Sequence, residues 1–150
     1  MKKLLASLAA ATLIATGAIG TLHADGDRYG KQKVVYHVNY DGEKAYNATL
    51  GNIRNHIQAV GKDNIELVVV MNGDGVNLLK MAKENADFES KIVNLKTEGV
   101  AFQVCKNTLV GRKIDYKKDL YDVADEDIVP AGVAEVARLQ QQGFAMIKVD

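Results

Sequence analysis

Ile65-Glu66-Leu67-Val68-Val69-Val70-Met71 is an apolar run with three consecutive valines and a single polar residue. Such a run is typical of a strand that is covered on both faces, as strands are in parallel sheets with helices on each side. The polar residues Asn72-Gly73-Asp74-Gly75 follow directly and end the strand. The run therefore predicts an inner strand of an α/β domain.

The residues before this strand predict another strand and a helix. Val34–Val38 is a short β-rich run, and a polar turn at residues 39–42 follows it. Beyond the turn, apolar residues recur every three or four positions, which predicts an amphipathic helix with Gly61 as its C-terminal cap. These positions are Tyr46, Leu50, Ile53, Ile57 and Val60.

The residues after the strand continue the alternation. Helical spacing predicts one helix through Val76, Leu79 and Ala82 and a second that ends at Gly99. A strand at Val100–Val104 follows. Residues 106–111 and 114–120 are predicted to form short helical turns, and Ile128 and Val129 a short strand.

The final segments predict one more helix and one more strand. Pro130 suits the first turn of that helix because its missing N–H would have no partner there. Gly143 ends the helix, and residues 144–149 form the last strand. Successive strand–helix–strand units imply right-handed crossovers, and thus a three-layer α/β/α domain with a mostly parallel five-stranded sheet.

Composition excludes several classes of protein. With 150 residues, of which 47% are hydrophobic and 25% charged, the chain fits one globular domain. Because 19 basic residues balance 19 acidic ones, no general field attracts nucleic acid. The lone cysteine cannot form an internal disulfide or a thiolate zinc cluster. His37 and His56 lack metal-ligand spacing, so they are interpreted as structural or solvated, and we predict no metal and no cofactor.

Residues 1–24 are predicted to be a secretory signal peptide. Lys2 and Lys3 precede an uncharged run that extends from residue 4 to residue 22. Cleavage after Ala24 or after Gly20 fits the pattern, and an uncleaved membrane anchor is the alternative. Cleavage implies a periplasmic protein without stable membrane anchoring. Residues 25–32 are then predicted to be a flexible arm before a domain over residues 33–150.

The loops at the carboxyl ends of the strands are where function is expected in such a sheet. Cys105 follows the strand at Val100–Val104, and it is the only strong nucleophile at this edge. A thiolate is required for its chemistry, and a helix start alone stabilises a charge by only about 0.3–1 kcal/mol. Activation would need the charge of Lys106, or hydrogen bonds from the backbone of Asn107 and Thr108. The alternative is a buried cysteine that only fills space.

The loop at residues 72–75 supports a second hypothesis. Its two glycines allow successive amides to surround a small anion. The loop lacks the GxGxxG spacing and has no Walker lysine, so a plain turn is the other interpretation. This hypothesis makes the protein a noncatalytic oligomeric module that binds an anion at the edge of the sheet.

Four segments together resemble the DsrE/DsrF-like family. They are Val70-Met71-Asn72-Gly73-Asp74-Gly75-Val76, Gly99-Val100-Ala101-Phe102-Gln103-Val104-Cys105-Lys106-Asn107-Thr108-Leu109, Val129-Pro130-Ala131-Gly132-Val133, and Leu139-Gln140-Gln141-Gln142-Gly143-Phe144-Ala145. The resemblance extends from about Lys33 to the C-terminus. It implies a five-stranded α/β/α domain and assembly into homotrimers or homohexamers.

The same resemblance implies sulfur metabolism. In the sulfur carriers of the family, a cysteine after a central strand accepts sulfane sulfur as a persulfide, and Cys105 is the matching position. The carriers have an Ala-rich segment and an Arg-Gly pair after that cysteine, from which this chain departs. We therefore expect a periplasmic sulfur carrier or sulfurtransferase whose partners are a sulfur donor or acceptor protein, or a small sulfane-sulfur compound. The residues expected around the sulfur are Asn72, Gly73, Lys106, Asn107 and Thr108.

Overall fold

Strands and helices alternate along residues 26–149, the part of the chain that the computed structural model describes. The strands are β1 (Gln32–Val38), β2 (Ile65–Met71), β3 (Ala101–Cys105), β4 (Ile128–Val129) and β5 (Ala145–Ile147). The helices are α1 (Gly26–Tyr29), α2 (Glu43–Val60), α3 (Asn77–Glu84), α4 (Ala86–Thr97), α5 (Lys106–Arg112), α6 (Tyr116–Asp119) and α7 (Gly132–Gln141). Short 3-10 turns occupy Lys62–Asn64, Gly73–Val76 and Asp125–Asp127.

The five strands form one sheet in the order β4-β3-β2-β1-β5, and every pairing is parallel. β2 has the bounds that its apolar run predicts, and it lies between β1 and β3. Leu67–Met71 are all buried because helices cover both of its faces. The predicted three-layer α/β/α architecture with a parallel five-stranded sheet is confirmed.

The two faces of the sheet are covered unequally. One face packs against α2, α3 and α4 through the larger apolar cluster, in which Tyr46, Ile53 and Phe88 are fully buried. The other face packs mainly on α7, where Val136 and Leu139 contact the alternate side chains of β1 and β2. The four connections between successive strands therefore place several helices on one face of the sheet and mainly α7 on the other.

α2 shows how local sequence sets these elements. Its predicted apolar stripe is buried, and Gly61 ends it with φ of 88°, a conformation that favours glycine. The Gly61 N–H donates to the carbonyl of Ile57 at 2.8 Å. The predicted helix and its cap are both confirmed.

Several boundaries differ from the prediction, and β3, for example, is Ala101–Cys105 instead of Val100–Val104. Pro130 precedes α7 by two residues instead of lying in its first turn, because Ala131 is the N-cap and still has extended φ and ψ. β5 has three residues, fewer than the six predicted, since only residues 145–147 pair with β1. β1 begins at Gln32, inside the segment predicted as an arm, and α1 adds one helical turn there.

The predicted signal peptide, residues 1–24, lies outside the described residues. Within residues 26–149, no helix combines the length and the apolar character that a membrane-spanning helix requires.

Candidate functional site

Cys105 ends β3 and is also the N-cap residue of α5, so its side chain lies at the carboxyl edge of the sheet. β3 pairs with β4, and Cys105 lies opposite Val129. β4 has only two residues and ends at Val129, and α7 begins three residues later at Gly132. This short connection places Gly132, the first residue of α7, directly beside Cys105.

Four hydrogen-bond donors lie near the Cys105 sulfur and favour its thiolate form. They are the backbone N–H groups of Gly132, Thr108 and Asn107 and the hydroxyl of Thr108. Burial by itself raises the pKa of the Cys105 thiol, since Cys105 is only 5% exposed. The hydrogen bonds outweigh this effect and hold the pKa below its ordinary value. A cysteine that only filled apolar space would have a raised pKa instead.

Gly132 lets α7 approach the cysteine closely. A Cβ atom at this position would lie 2.9 Å from Cβ of Asn72 and 3.2 Å from Cβ of Cys105. Both distances are shorter than ordinary carbon–carbon contacts. The absence of a side chain is therefore required if the Gly132 amide is to reach the sulfur.

The neighbouring polar groups are held in place by further hydrogen bonds. The Gly73 N–H donates to Oγ1 of Thr108 at 2.9 Å, and the same hydroxyl donates onward to the sulfur. His37 Nε2 lies 2.6 Å from Oδ1 of Asn72, so the ring N–H donates to the amide oxygen. These bonds tie the ends of β1, β2 and β3 together around Cys105.

The structure gathers most of the predicted residues around the sulfur. Asn107 and Thr108 contact it directly, while Gly73 acts through Thr108 and Asn72 packs beside Gly132. Lys106 is exposed and is not among the groups that lower the pKa of Cys105, which are hydrogen-bond donors of other residues. Of the groups predicted to activate the thiol, the backbone of Asn107 and Thr108 lowers its pKa, together with the Thr108 hydroxyl.

Gly132 and His37 were not predicted as site residues. From the sequence, His37 is interpreted as structural or solvated, because its bond to Asn72 becomes visible only once β1 and β2 are aligned. Gly132 follows a strand of two residues, so its place depends on the pairing of β4 with β3. In the sequence, only the Pro130-Ala131-Gly132 segment after a predicted short strand points to Gly132 as a residue at the edge of the sheet.

In the loop at residues 72–75, both glycine N–H groups donate hydrogen bonds within the protein. The Gly73 N–H is used by Thr108, and the Gly75 N–H donates to the carbonyl of Asn72 at 3.1 Å. A Cβ at Gly75 would lie 2.0 Å from the carbonyl oxygen of Val38, so this glycine permits a close backbone contact. The loop is thus a tight connection packed on β1 and does not present both glycine amides to a ligand.

No group of three or more histidine, cysteine, aspartate or glutamate side chains in the described part of the chain is arranged to hold a metal ion. The donors around Cys105 are all N–H or O–H groups. They suit an anionic sulfur atom.

The model of the DsrE/DsrF-like family matches residues 32–149. The chain belongs to this family. The family is associated with sulfur metabolism, and in this member Cys105 is the only cysteine.

A solved structure is similar to this family member over most of its length. It is the protein of unknown function MTH1491 from Methanobacterium thermoautotrophicum, which is 29% identical in sequence, with a TM-score of 0.68. The similarity covers 79% of this chain and 99% of the other. None of the curated proteins matches the chain.

Proposed function

We propose that this protein is a sulfur carrier in which the Cys105 thiolate accepts a sulfane sulfur and passes it to another thiol. The observation that carries the proposal is the set of four donors on a single buried sulfur. Such donors stabilise the thiolate, which is the nucleophilic form of cysteine. Membership in a family associated with sulfur metabolism supports the same chemistry.

The loading step is a displacement at sulfur. The Cys105 thiolate attacks the outer sulfur of a donor such as thiosulfate, a new S–S bond forms, and the old S–S bond breaks. Sulfite leaves with the electron pair, so charge and atoms balance without any further oxidant. The product is a persulfide whose negative charge lies on the outer sulfur.

Unloading reverses the roles. The thiolate of an acceptor attacks the outer sulfur, the Cys105–S bond breaks, and Cys105 leaves as a thiolate. The four donors favour this step because they stabilise the leaving group. The same contacts therefore assist both halves of the transfer.

The burial of Cys105 limits which species can react. The residue is 5% exposed, so a reagent must approach along the edge of the sheet between the starts of α5 and α7. A persulfide extends the side chain by about 2 Å, which moves its outer sulfur away from the inner one. The loaded form thus presents its reactive atom more openly than the free thiol does.

Intact-mass measurement tests the proposal. Reduced protein is incubated with polysulfide or thiosulfate, freed of the reagent and weighed. We expect the wild type to gain one or more sulfur atoms, which a small thiol then removes. Cys105→Ser, checked for folding by circular dichroism, is expected to gain none. No added sulfur on the wild type, or the same addition to Cys105→Ser, refutes the carrier.

We further propose that the protein is exported to the periplasm and assembles there as a homo-oligomer. Lys2, Lys3 and the uncharged run after them support export. After loss of residues 1–24, the formal charge falls from zero to minus two, because two lysines are removed. Mass analysis of the N-terminus of protein recovered from the periplasm tests this: a chain that still begins at Met1 would refute cleavage.

A further inference from the structure

A cavity lies between α2 and α4, and its lining includes none of the residues around Cys105. Its volume is about 590 Å³, within the range of small-molecule sites. α2 and α4 each connect parallel strands, so the two helices run in the same direction. Each contributes residues at helical spacing: Asn47, Leu50, Gly51 and Arg54 from α2, and Lys91, Asn94, Leu95 and Glu98 from the region of α4.

Gly51 gives this cavity its depth. It lies inside α2, where glycine disfavours the helix by about 1 kcal/mol relative to alanine. Its φ is not positive, and no atom lies within 4 Å of the place where a Cβ would stand. Neither the backbone nor packing within the described residues therefore requires glycine here. The space above it is open, and Leu50 and Leu95 form an apolar floor beside it.

The charges in the cavity are divided between its two ends. At one end, Lys91 Nζ donates to Oδ1 of Asn47 at 2.7 Å and is paired with Asp87, so its charge is compensated. At the other end lie Arg54 and Glu98. Neither belongs to any ion pair found within residues 26–149. A cation and an anion without partners thus line the same end of one cavity.

We propose that this cavity binds a small zwitterion of the α-amino acid type with an apolar side chain. The carboxylate would bind Arg54 and the ammonium group Glu98, since opposite charges then meet at one end. The side chain of the ligand would lie over Gly51 and between Leu50 and Leu95. An α-amino acid carries both charges at one end and its apolar part at the other, as the cavity requires. The site is independent of the carrier chemistry at Cys105.

Titration with L-phenylalanine, followed by amide chemical shifts in NMR spectra, tests the proposal. We expect saturable binding, with shifts confined to residues around 47–54 and 91–98. Two matched probes lack one charge each: 3-phenylpropanoate has no ammonium group, and phenethylamine has no carboxylate. Each is expected to bind about tenfold more weakly or worse, because one charged hydrogen bond is lost. Equal binding of either probe refutes a zwitterion site.

Variants test whether L-phenylalanine binds in this cavity or elsewhere on the surface. Arg54→Gln and Glu98→Gln, both at exposed positions, are expected to weaken L-phenylalanine binding about tenfold. Gly51→Phe should fill the cavity and abolish binding. Gly111→Phe is the matched control, because Gly111 on α5 also has open space around it. Absence of saturable binding, or equal loss in both glycine variants, overturns the proposal. Cys105→Ser should bind as the wild type does, so this result does not depend on sulfur transfer.

Discussion

Cys105 illustrates how a buried cysteine can still have a lowered pKa. Burial opposes charge, but each donor that the fold aims at the sulfur favours the thiolate. Three of the four donors belong to Asn107 and Thr108, two and three residues after the cysteine, and the fourth is on α7. The stabilisation thus combines a local turn with a tertiary contact.

Thr108 allows the contribution of one donor to be measured. Thr108→Val keeps the shape of the side chain and removes the hydroxyl, so the pKa of Cys105 should rise. At neutral pH we expect alkylation of the thiol to slow by about threefold to tenfold, the value of one hydrogen bond. Thr108→Ser, which keeps the hydroxyl, serves as the control. Equal rates for the wild type and the valine variant would show that the hydroxyl does not act on the sulfur.

At this scale, the sequence predicted Cys105 and the donors that are its neighbours in the chain. It could do so because residues 106–108 follow the strand immediately and begin a helix. Gly132 and His37 could not be predicted in this way. Their contacts with the site depend on which strands are neighbours in the sheet.

Among the elements, the loop after β2 is held by a buried tyrosine of α2. Oη of Tyr46 lies 2.8 Å from the carbonyl oxygen of Asp74, 2.9 Å from Oδ1 of Asp41 and 3.1 Å from the carbonyl oxygen of Tyr40. Its one hydroxyl therefore serves acceptors after both β1 and β2. The Arg112–Asp74 ion pair, at 2.8 Å, attaches α5 to the same loop.

Tyr46→Phe removes this hydroxyl, so the Asp74 carbonyl and the Asp41 carboxylate each lose one donor and keep another, from Asn77 and Gly42. We expect the free energy of unfolding to fall by about 0.5–1.5 kcal/mol, the usual net contribution of one intramolecular hydrogen bond. Urea denaturation measures the change. Tyr29→Phe is the control, because the Tyr29 side chain is exposed and should change stability by less than about 0.5 kcal/mol. A loss no larger than that of the control would show that the hydroxyl is dispensable.

The same tyrosine has a pH dependence of known sign. Burial and the neighbouring Asp41 raise the pKa of Tyr46, so the folded state favours the neutral phenol. This contribution to stability is complete below pH 10, the ordinary pKa of tyrosine, and is lost as the pH rises further. We expect Tyr46→Phe to lose stability less steeply than the wild type in alkaline denaturation. An unchanged slope would contradict the assignment.

On the scale of the whole molecule, the sequence predicted the layers but not the order of the strands. Apolar periodicity identified β2, α2 and their neighbours because each buries a regular set of side chains. The order β4-β3-β2-β1-β5 depends instead on the last crossover, which places α7 on the opposite face and β5 beside β1. No single segment encodes that choice.

The thinly covered face of the sheet supports the proposed self-association. Val133 on α7 is 64% exposed and Met146 on β5 is 46% exposed. Exposed apolar side chains on one side of a sheet are features that a second subunit could cover.

Light scattering coupled to size exclusion tests this assembly. We expect a trimer or a larger oligomer for the wild type, and smaller species for Val133→Glu, because a charge is then placed on the exposed apolar surface. Val93→Glu is the matched control, since Val93 on α4 is 41% exposed but belongs to the other layer. A wild type that is monomeric at every concentration would refute the proposed oligomer.

The most direct test of the account is the rate of Cys105 alkylation as a function of pH. Because the folded pKa is lowered, iodoacetamide should react with a midpoint below that of the same thiol in unfolded protein. By linkage, the thiolate adds stability at and above the unfolded pKa, and this is lost as the pH falls through the folded value. A folded midpoint at or above that of the unfolded chain would contradict the claim that the donors around the sulfur lower the pKa of Cys105.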